Sequence, residues 1–549
     1  MDDHKGYWQR NLRARRSRRG FLSASATLAV GGAAMGLVGC GDDDDDAPSS
    51  PATGATAAGS ASAAASSAAQ PKTGGTLKVS FPADITSIDG AYSGSSQDVM
   101  PLRVLADTLI SYDQKSQLVP LLATSWETPD PTTWVFKLRN GVKYHDGTAF
   151  DAAGAKVFLD NTRSTTSGST QASDLAIITG VDATDATTLT LKLSAPFAPL
   201  ASTLYGRAGM FVSPASMQKY GKDTATKGAS AGPYKLDTFT TGSALKLVKH
   251  TEYWNPSKQY LDGITFQIIK DPTTALTNLS TGDIDVLSTL NINFVDQVSS
   301  NSSLALLQLD GGQRSGFEFQ ITKPPFDNEN LRRAVLFALG LDDVNSVVYK
   351  GKGKLLTPNF WWPYGWAFYN DGEPFKKDLT KAKQLLSAGG KPDGFEFKNM
   401  NYSVIPEFDV MRANLAKVGI KMVDDTTDIG TFSTRNRAKQ WDAWYGSART
   451  AAGAMDPGYW VRRYMWSKGV FSTNGYTDDA LDAAMIKAEE TTKVEERTPL
   501  YGQVNTAWHS HAVSVYTLFS PSFAGIRKNV NGAYFHPSGW PYLNEAWKA

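Results

Sequence analysis

The sequence predicts a mixed α/β fold with long excursions between strands. Short runs of alternating apolar and polar residues recur along the chain. Segments of helical period fall between them, one opened by an acid cap, and no short-period repeat links them. With 549 residues the chain exceeds one compact core, and two or three units are expected.

The ordered part begins at Gly74-Gly75. Residues 76–81 alternate and predict a strand. A helix follows from about Gln97, before Asp107-Thr108-Leu109-Ile110. Residues 134–139 alternate and stop at Asn140-Gly141, a turn signal. Asp151 caps a helix that carries Ala155, Val157, Phe158 and Leu159. Further strands are predicted over 189–193, 234–236, 245–248 and 264–269. Helices are predicted over 273–281, 328–339, 379–388, 408–418, 477–490 and 495–509.

The N-terminal region is an address. Ser17-Arg18-Arg19-Gly20-Phe21-Leu22 is a twin-arginine export sequence closing a basic segment. A small-residue apolar stretch ends in Leu37-Val38-Gly39-Cys40, which resembles a bacterial lipobox. Cys40 is then the lipidation site and first mature residue, and two acyl chains make a stable anchor. The stretch is short and rich in Gly, Ala and Ser for a bilayer span. Cys40 is the only cysteine, so neither an intrachain disulfide nor a cysteine metal cluster is expected. The signal removes seven basic and two acidic residues, which takes the formal charge of +1 below zero. A mildly acidic exported protein is not a nucleic-acid binder. Residues 41–73 open with Asp42 to Asp46 and continue without periodicity, as a disordered linker.

Several segments resemble one family in order. Tyr144-His145-Asp146-Gly147-Thr148-Ala149-Phe150-Asp151 is similar to the signature of the family 5 extracellular solute-binding proteins, the peptide- and nickel-type receptors of ABC importers. Ser87-Ile88-Asp89, Leu121-Ala123-Trp126 and Ala231-Gly232-Pro233-Tyr234 match further segments. So do Tyr253-Trp254-Asn255, Pro324-Pro325-Phe326-Asp327 with Leu331-Arg332-Arg333-Ala334, and Tyr476-Thr477-Asp478 with Leu481-Asp482. The resemblance implies a two-lobed periplasmic-binding-protein-like fold with an extra subdomain and a hinge between lobes. It implies a domain I of about 74–103, 212–307 and 511–549, a domain II of about 104–211, and a domain III of about 308–510. It implies a monomeric, non-enzymatic receptor without cofactor or metal. Such a receptor works outside the cytoplasmic membrane, with a small solute and the permease and ATPase subunits as partners.

Site residues follow from the same resemblance. In peptide-binding relatives an aromatic-Asp pair opens a strand that supplies an Asp for the peptide amine. Here the pair is Trp441-Asp442, and the amine-binding position falls on Ala451 unless a gap moves Asp456 into the role. The Arg-Thr…Asp-Pro spacing resembles the nickel-type branch, but its aromatic positions are Ala451 and Met455. Arg449 is the charged candidate and can grip a carboxylate or phosphate with two bonds. Its competing role is an interdomain salt bridge or surface charge. Ser447 and Thr450 are polar candidates. Trp361 and Trp362, in the loop 359–366, stand where relatives place a cleft-lining loop, with core packing as the alternative. Tyr92 and Ser95 match a cleft-edge segment. Gly228-Ala229-Ser230-Ala231-Gly232 fits G-x-S-x-G, but Pro233 and the alternation after it predict a turn followed by a strand; two other functions stay open, a serine hydrolase using Ser230 and a signalling lipoprotein without transport.

Overall fold

A computed structural model describes residues 70–363, 365–369, 374–402, 405–449, 455–469 and 471–549, with the side chains of 447–449 excepted. Arg18, Arg19, Cys40 and most of the linker lie outside the described residues. Residues 71–549 form a compact unit.

An 11-stranded sheet runs through this unit, and a separate four-stranded antiparallel sheet spans Ala123 to Leu193. Two long strands occupy the middle of the large sheet. Leu304–Phe319 and Ser514–Arg527 pair antiparallel, and each extends into both halves. One half adds Thr76–Phe81, Gly263–Ile268, Ala244–Lys249 and Tyr234–Thr240. The other adds Ala443–Arg449, Glu396–Asn401 and Lys421–Thr426. Each half has its own core, one around Leu77, Val79 and Phe266, the other around Phe317, Phe319 and Phe397. Two lobes joined by two crossing strands are the result.

The alternating strand Thr76–Phe81 forms as expected, parallel to Gly263–Ile268. Gly263 is required there, because a Cβ would stand 2.4 Å from the Leu247 carbonyl oxygen. The helix Leu379–Ala388 forms behind its Asp378 cap. The long strands are not anticipated. Asp310-Gly311-Gly312 interrupts the first of them with a bulge between Leu309 and Gln313, with Gly311 at φ 63°. Ser514–Arg527 is buried at every position but the last, so it shows no alternation.

The signature segment is a brace. Tyr144 N donates to Thr148 O at 2.8 Å, and Asp146 accepts from the Thr148 amide and hydroxyl. Asp151 caps Ala152–Arg163 by accepting from Gly154 N. The His145 amide donates to Ser230 O at 2.8 Å, its Nδ1 accepts from Ser230 N at 3.3 Å, and its Nε2 contacts Gly232 O at 3.1 Å. Burial pushes this imidazole down to about 3, so it stays neutral. Ser230 is buried and followed by the strand Tyr234–Thr240, not by a helix. The turn-then-strand reading of this segment holds, and the alternative of a nucleophile elbow at Ser230 does not fit, because an elbow needs a strand-to-helix turn that exposes Oγ.

Asp107 offers a pH test of the core. It is 3% exposed and accepts from Tyr253 Oη and Trp254 Nε1, both at 2.8 Å. Burial lifts its carboxyl to about 6 from 3.8. A raised folded value means that its stabilisation is full below the unfolded value and is lost as pH rises through 6. Asp107→Asn should therefore gain on the parent between pH 4 and 7, by up to about 3 kcal/mol. Melting temperatures of both proteins across that range check it; parallel curves would refute the buried-charge argument.

Candidate functional site

The site strand Ala443–Arg449 pairs antiparallel with Leu304–Phe319, with Trp444 opposite Glu318, Gly446 opposite Gly316 and Ala448 opposite Arg314. Alternation puts Arg314, Glu318, Trp444 and Gly446 on one sheet face. Tyr516, from the second long strand, pairs with Gly316. The opposite face carries Phe317, Phe319, Ala443 and Tyr445 into the core. The helix Pro457–Tyr464 brings Trp460 and Tyr464 over the first face, and a cavity of ≈ 220 Å³ remains between them. A smaller recess continues from Arg314 and Glu318 toward Phe360 and Trp508.

The cavity floor is charged. Arg314 and Glu318 are 3% and 7% exposed. The Arg314 guanidinium lies 4.3 Å from the ring centre of Tyr516, 4.7 Å from Trp362 and 4.9 Å from Trp460. Glu318 accepts from Tyr516 Oη at 2.6 Å. Burial lifts its carboxyl to about 7, against the opposing pull of Tyr516 and Arg314. Sequence reasoning missed both residues, because the bulge hides the strand that carries them. The available signal was Arg314-x-x-x-Glu318 around Gly316, an even spacing that shares a strand face.

The sequence-predicted residues fall in different places. The backbone of Ser447 and Arg449 belongs to the site strand, with Arg449 opposite Gln313, but their side chains and Thr450 lie outside the described residues. Trp361 and Trp362 do not line the cleft as expected. They are 2% and 0% exposed and pack in a cluster with Trp460, Tyr501 and Trp508. Trp362 reaches the site only by presenting its ring to Arg314.

Asp456 is also committed elsewhere. It caps Pro457–Tyr464 by accepting from Gly458 N. Its carboxylate receives Arg497 Nη1 at 2.7 Å and Nη2 at 2.6 Å, with both side chains buried. It is therefore no ready anchor for a ligand amine. Tyr92 is half-buried at the end of a short 3-10 turn, and Ser95 caps the next turn through Gln97 N. Neither lines the cavity described above.

The segments 174–203 and 455–489 meet directly. Arg463 pairs with Asp174, which also accepts from Tyr459 Oη at 3.2 Å. Ser202 Oγ accepts from the amides of Met455 and Asp456 at 2.8 and 3.0 Å. Ala198 N donates to Glu489 O at 2.7 Å. The four-stranded subdomain side is thus shut against the helix that roofs the cavity. No cluster of potential metal ligands and no helix long and apolar enough to cross a membrane occurs among the described residues.

A profile of the bacterial extracellular solute-binding proteins, family 5, matches residues 117–469. The glutathione-binding protein GsiB of Shigella boydii serotype 4 is 26% identical over 443 residues, covering 78% of this chain and 86% of that protein. The DppA periplasmic binding protein of Helicobacter pylori, solved with the peptide STSA, superposes with a TM-score of 0.76 at 23% identity. That match covers 87% of this chain and 98% of that one. AgaA of A. tumefaciens R10, solved with agropinic acid, superposes with a TM-score of 0.75 at 20% identity, covering 86% and 99%.

Proposed function

We propose a receptor function on one premise: the chain belongs to the bacterial extracellular solute-binding proteins of family 5. It captures a small organic solute, a peptide or a compound of similar size, and delivers it to the permease and ATPase subunits of an ABC importer. The observation that carries this reading is the cavity on the crossing strands, roofed by a helix that the opposite segment holds shut. A cleft that closes on its solute by hinge motion, without covalent chemistry, uses aromatic walls and a few polar groups, and both line this cavity. The relatives' solutes, glutathione, a peptide and agropinic acid, are all small polar organic molecules. Domain I is assigned to about 74–103, 212–307 and 511–549, domain II to about 104–211, and domain III to about 308–510. Arg449 stands as the candidate that grips an anionic group.

Thermal-shift screening of the protein against peptides, aromatic acids and nickel chelates tests the reading. A specific solute raises the melting temperature with concentration, and calorimetry then gives stoichiometric binding. A screen without any such solute, together with unchanged solute uptake in a deletion strain, would reject it.

Export and anchoring belong to the same proposal. Arg18→Lys with Arg19→Lys should stop export, and Cys40→Ser should move the protein from the membrane to the soluble fraction. Fractionation with immunoblotting checks both. Full membrane retention of the processed Cys40→Ser protein would reject the lipid anchor.

A further inference from the structure

The cavity has two aromatic walls. On one, Tyr402, Phe432 and Trp444 form an edge-to-face ladder, with ring centres 5.2 and 6.0 Å apart. On the other, Tyr464 lies between Trp460, 4.6 Å away, and Phe471, stacked at 5.2 Å. The space between them is ≈ 220 Å³. Whole drug-sized ligands occupy about 300–1,000 Å³, so this volume suits one ring system and not an entire solute. The space is kept open at Gly446, where a Cβ would stand 2.3 Å from the Trp444 ring.

The polar side chains at the cavity include buried Arg314, Glu318 and Asn436 and half-buried Ser433. Arg314 already lies against three ring faces and Glu318 holds Tyr516, so the floor carries one cation and one acid. A cation brought by a ligand would meet Arg314 and a carboxyl that burial lifts to about 7, so a charged amine is disfavoured there. Trp460 is 7% exposed, and its buried indole Nε1–H has no hydrogen-bond partner among the described residues. Such a donor is costly unless something accepts from it. The outer side is apolar: Tyr402 is 53% exposed, and Ile429, one turn before Phe432, is 60% exposed.

We propose that this cavity is a subsite for an uncharged aromatic ring of the transported solute, with an acceptor atom on the solute taking the Trp460 Nε1–H. The proposal rests on the receptor reading and narrows its substrate class. The ring can come from an aromatic side chain of a peptide or from a free aryl solute, and one experiment separates the two.

The full-length protein is titrated calorimetrically with Ala-Trp-Ala, Ala-Phe-Ala, Ala-Leu-Ala and Ala-Lys-Ala, and with indole. The aryl peptides should bind at least tenfold more tightly than the leucyl and lysyl peptides if the ring is a peptide side chain. Indole alone should bind if the source is a free aryl solute. Gly446→Leu should remove the aryl preference by filling the cavity. Because Gly446 abuts Trp444, that variant can misfold, so Phe432→Ala, on the half-buried outer wall, is the second variant. It should lower aryl affinity about tenfold and leave Ala-Leu-Ala unchanged. Equal affinity for aryl and leucyl peptides would overturn the subsite while preserving the receptor reading. Undiminished aryl affinity in a folded Phe432→Ala protein would do the same. Failure of every aryl probe to bind also overturns the subsite, and the receptor reading then stands or falls on the solute screen and uptake assay.

Discussion

Arg497→Met should destabilise the protein by about 3–5 kcal/mol, the usual cost of removing one partner from a buried ion pair. Arg497 gives both terminal nitrogens to Asp456, a third bond to the Ala488 carbonyl and a fourth to Tyr501 Oη. Methionine fills much of the volume but leaves the Asp456 carboxylate buried without its cation. Asp456 also orders the start of Pro457–Tyr464, so the roof of the cavity should loosen with it. The double variant Asp456→Asn with Arg497→Met removes the stranded charge and should recover part of the loss. Chemical denaturation of the three proteins checks this. An Arg497→Met protein as stable as the parent, or a double variant much worse than the single one, would contradict the pair's assigned role.

Asp174→Ala should speed solute release at least tenfold. Asp174 is nearly covered, and it holds both Arg463 and Tyr459 on the roof helix from the opposite segment. Losing one member of a buried, hydrogen-bonded charge pair at an interface typically costs about 2–5 kcal/mol, and the loss is felt in dissociation. The open form should gain population, which small-angle scattering reads as a larger radius of gyration. Stopped-flow displacement of a solute found by screening gives the rate. An unchanged release rate in a folded variant would show that the contact does not hold the lobes together.

How much was legible depended on how local the signal was. The capped helix Leu379–Ala388 and the alternating strand Thr76–Phe81 are written in neighbouring residues and stand where expected. The crossing strands are not. Their partners lie about two hundred residues away, and Asp310-Gly311-Gly312 interrupts the first strand with a bulge. Arg314 and Glu318 go unnoticed for that reason, although their even spacing puts them on one strand face. Asp456-Pro457 carried a plain helix-start signal, an acid cap followed by proline. It was weighed instead as a ligand anchor, because a motif does not reveal that Arg497 waits at its carboxylate. The tryptophans at 361 and 362 show the same limit. Aromatic density marks a cleft or a core equally well, and only the packing of Trp460, Tyr501 and Trp508 against them decides for the core.

The placement of Ser514–Arg527 bears on when the molecule can be finished. This near-terminal strand is seated between Leu304–Phe319 and Val286–Leu287, in the interior of the large sheet. Until it is synthesised, the sheet is two separate pieces, each exposing an unpaired edge. The large sheet therefore stays incomplete until residues 514–527 are in place, after every other strand of both halves has been made. A chain that stops just ahead of Ser514 therefore keeps two unpaired margins, which favour aggregation.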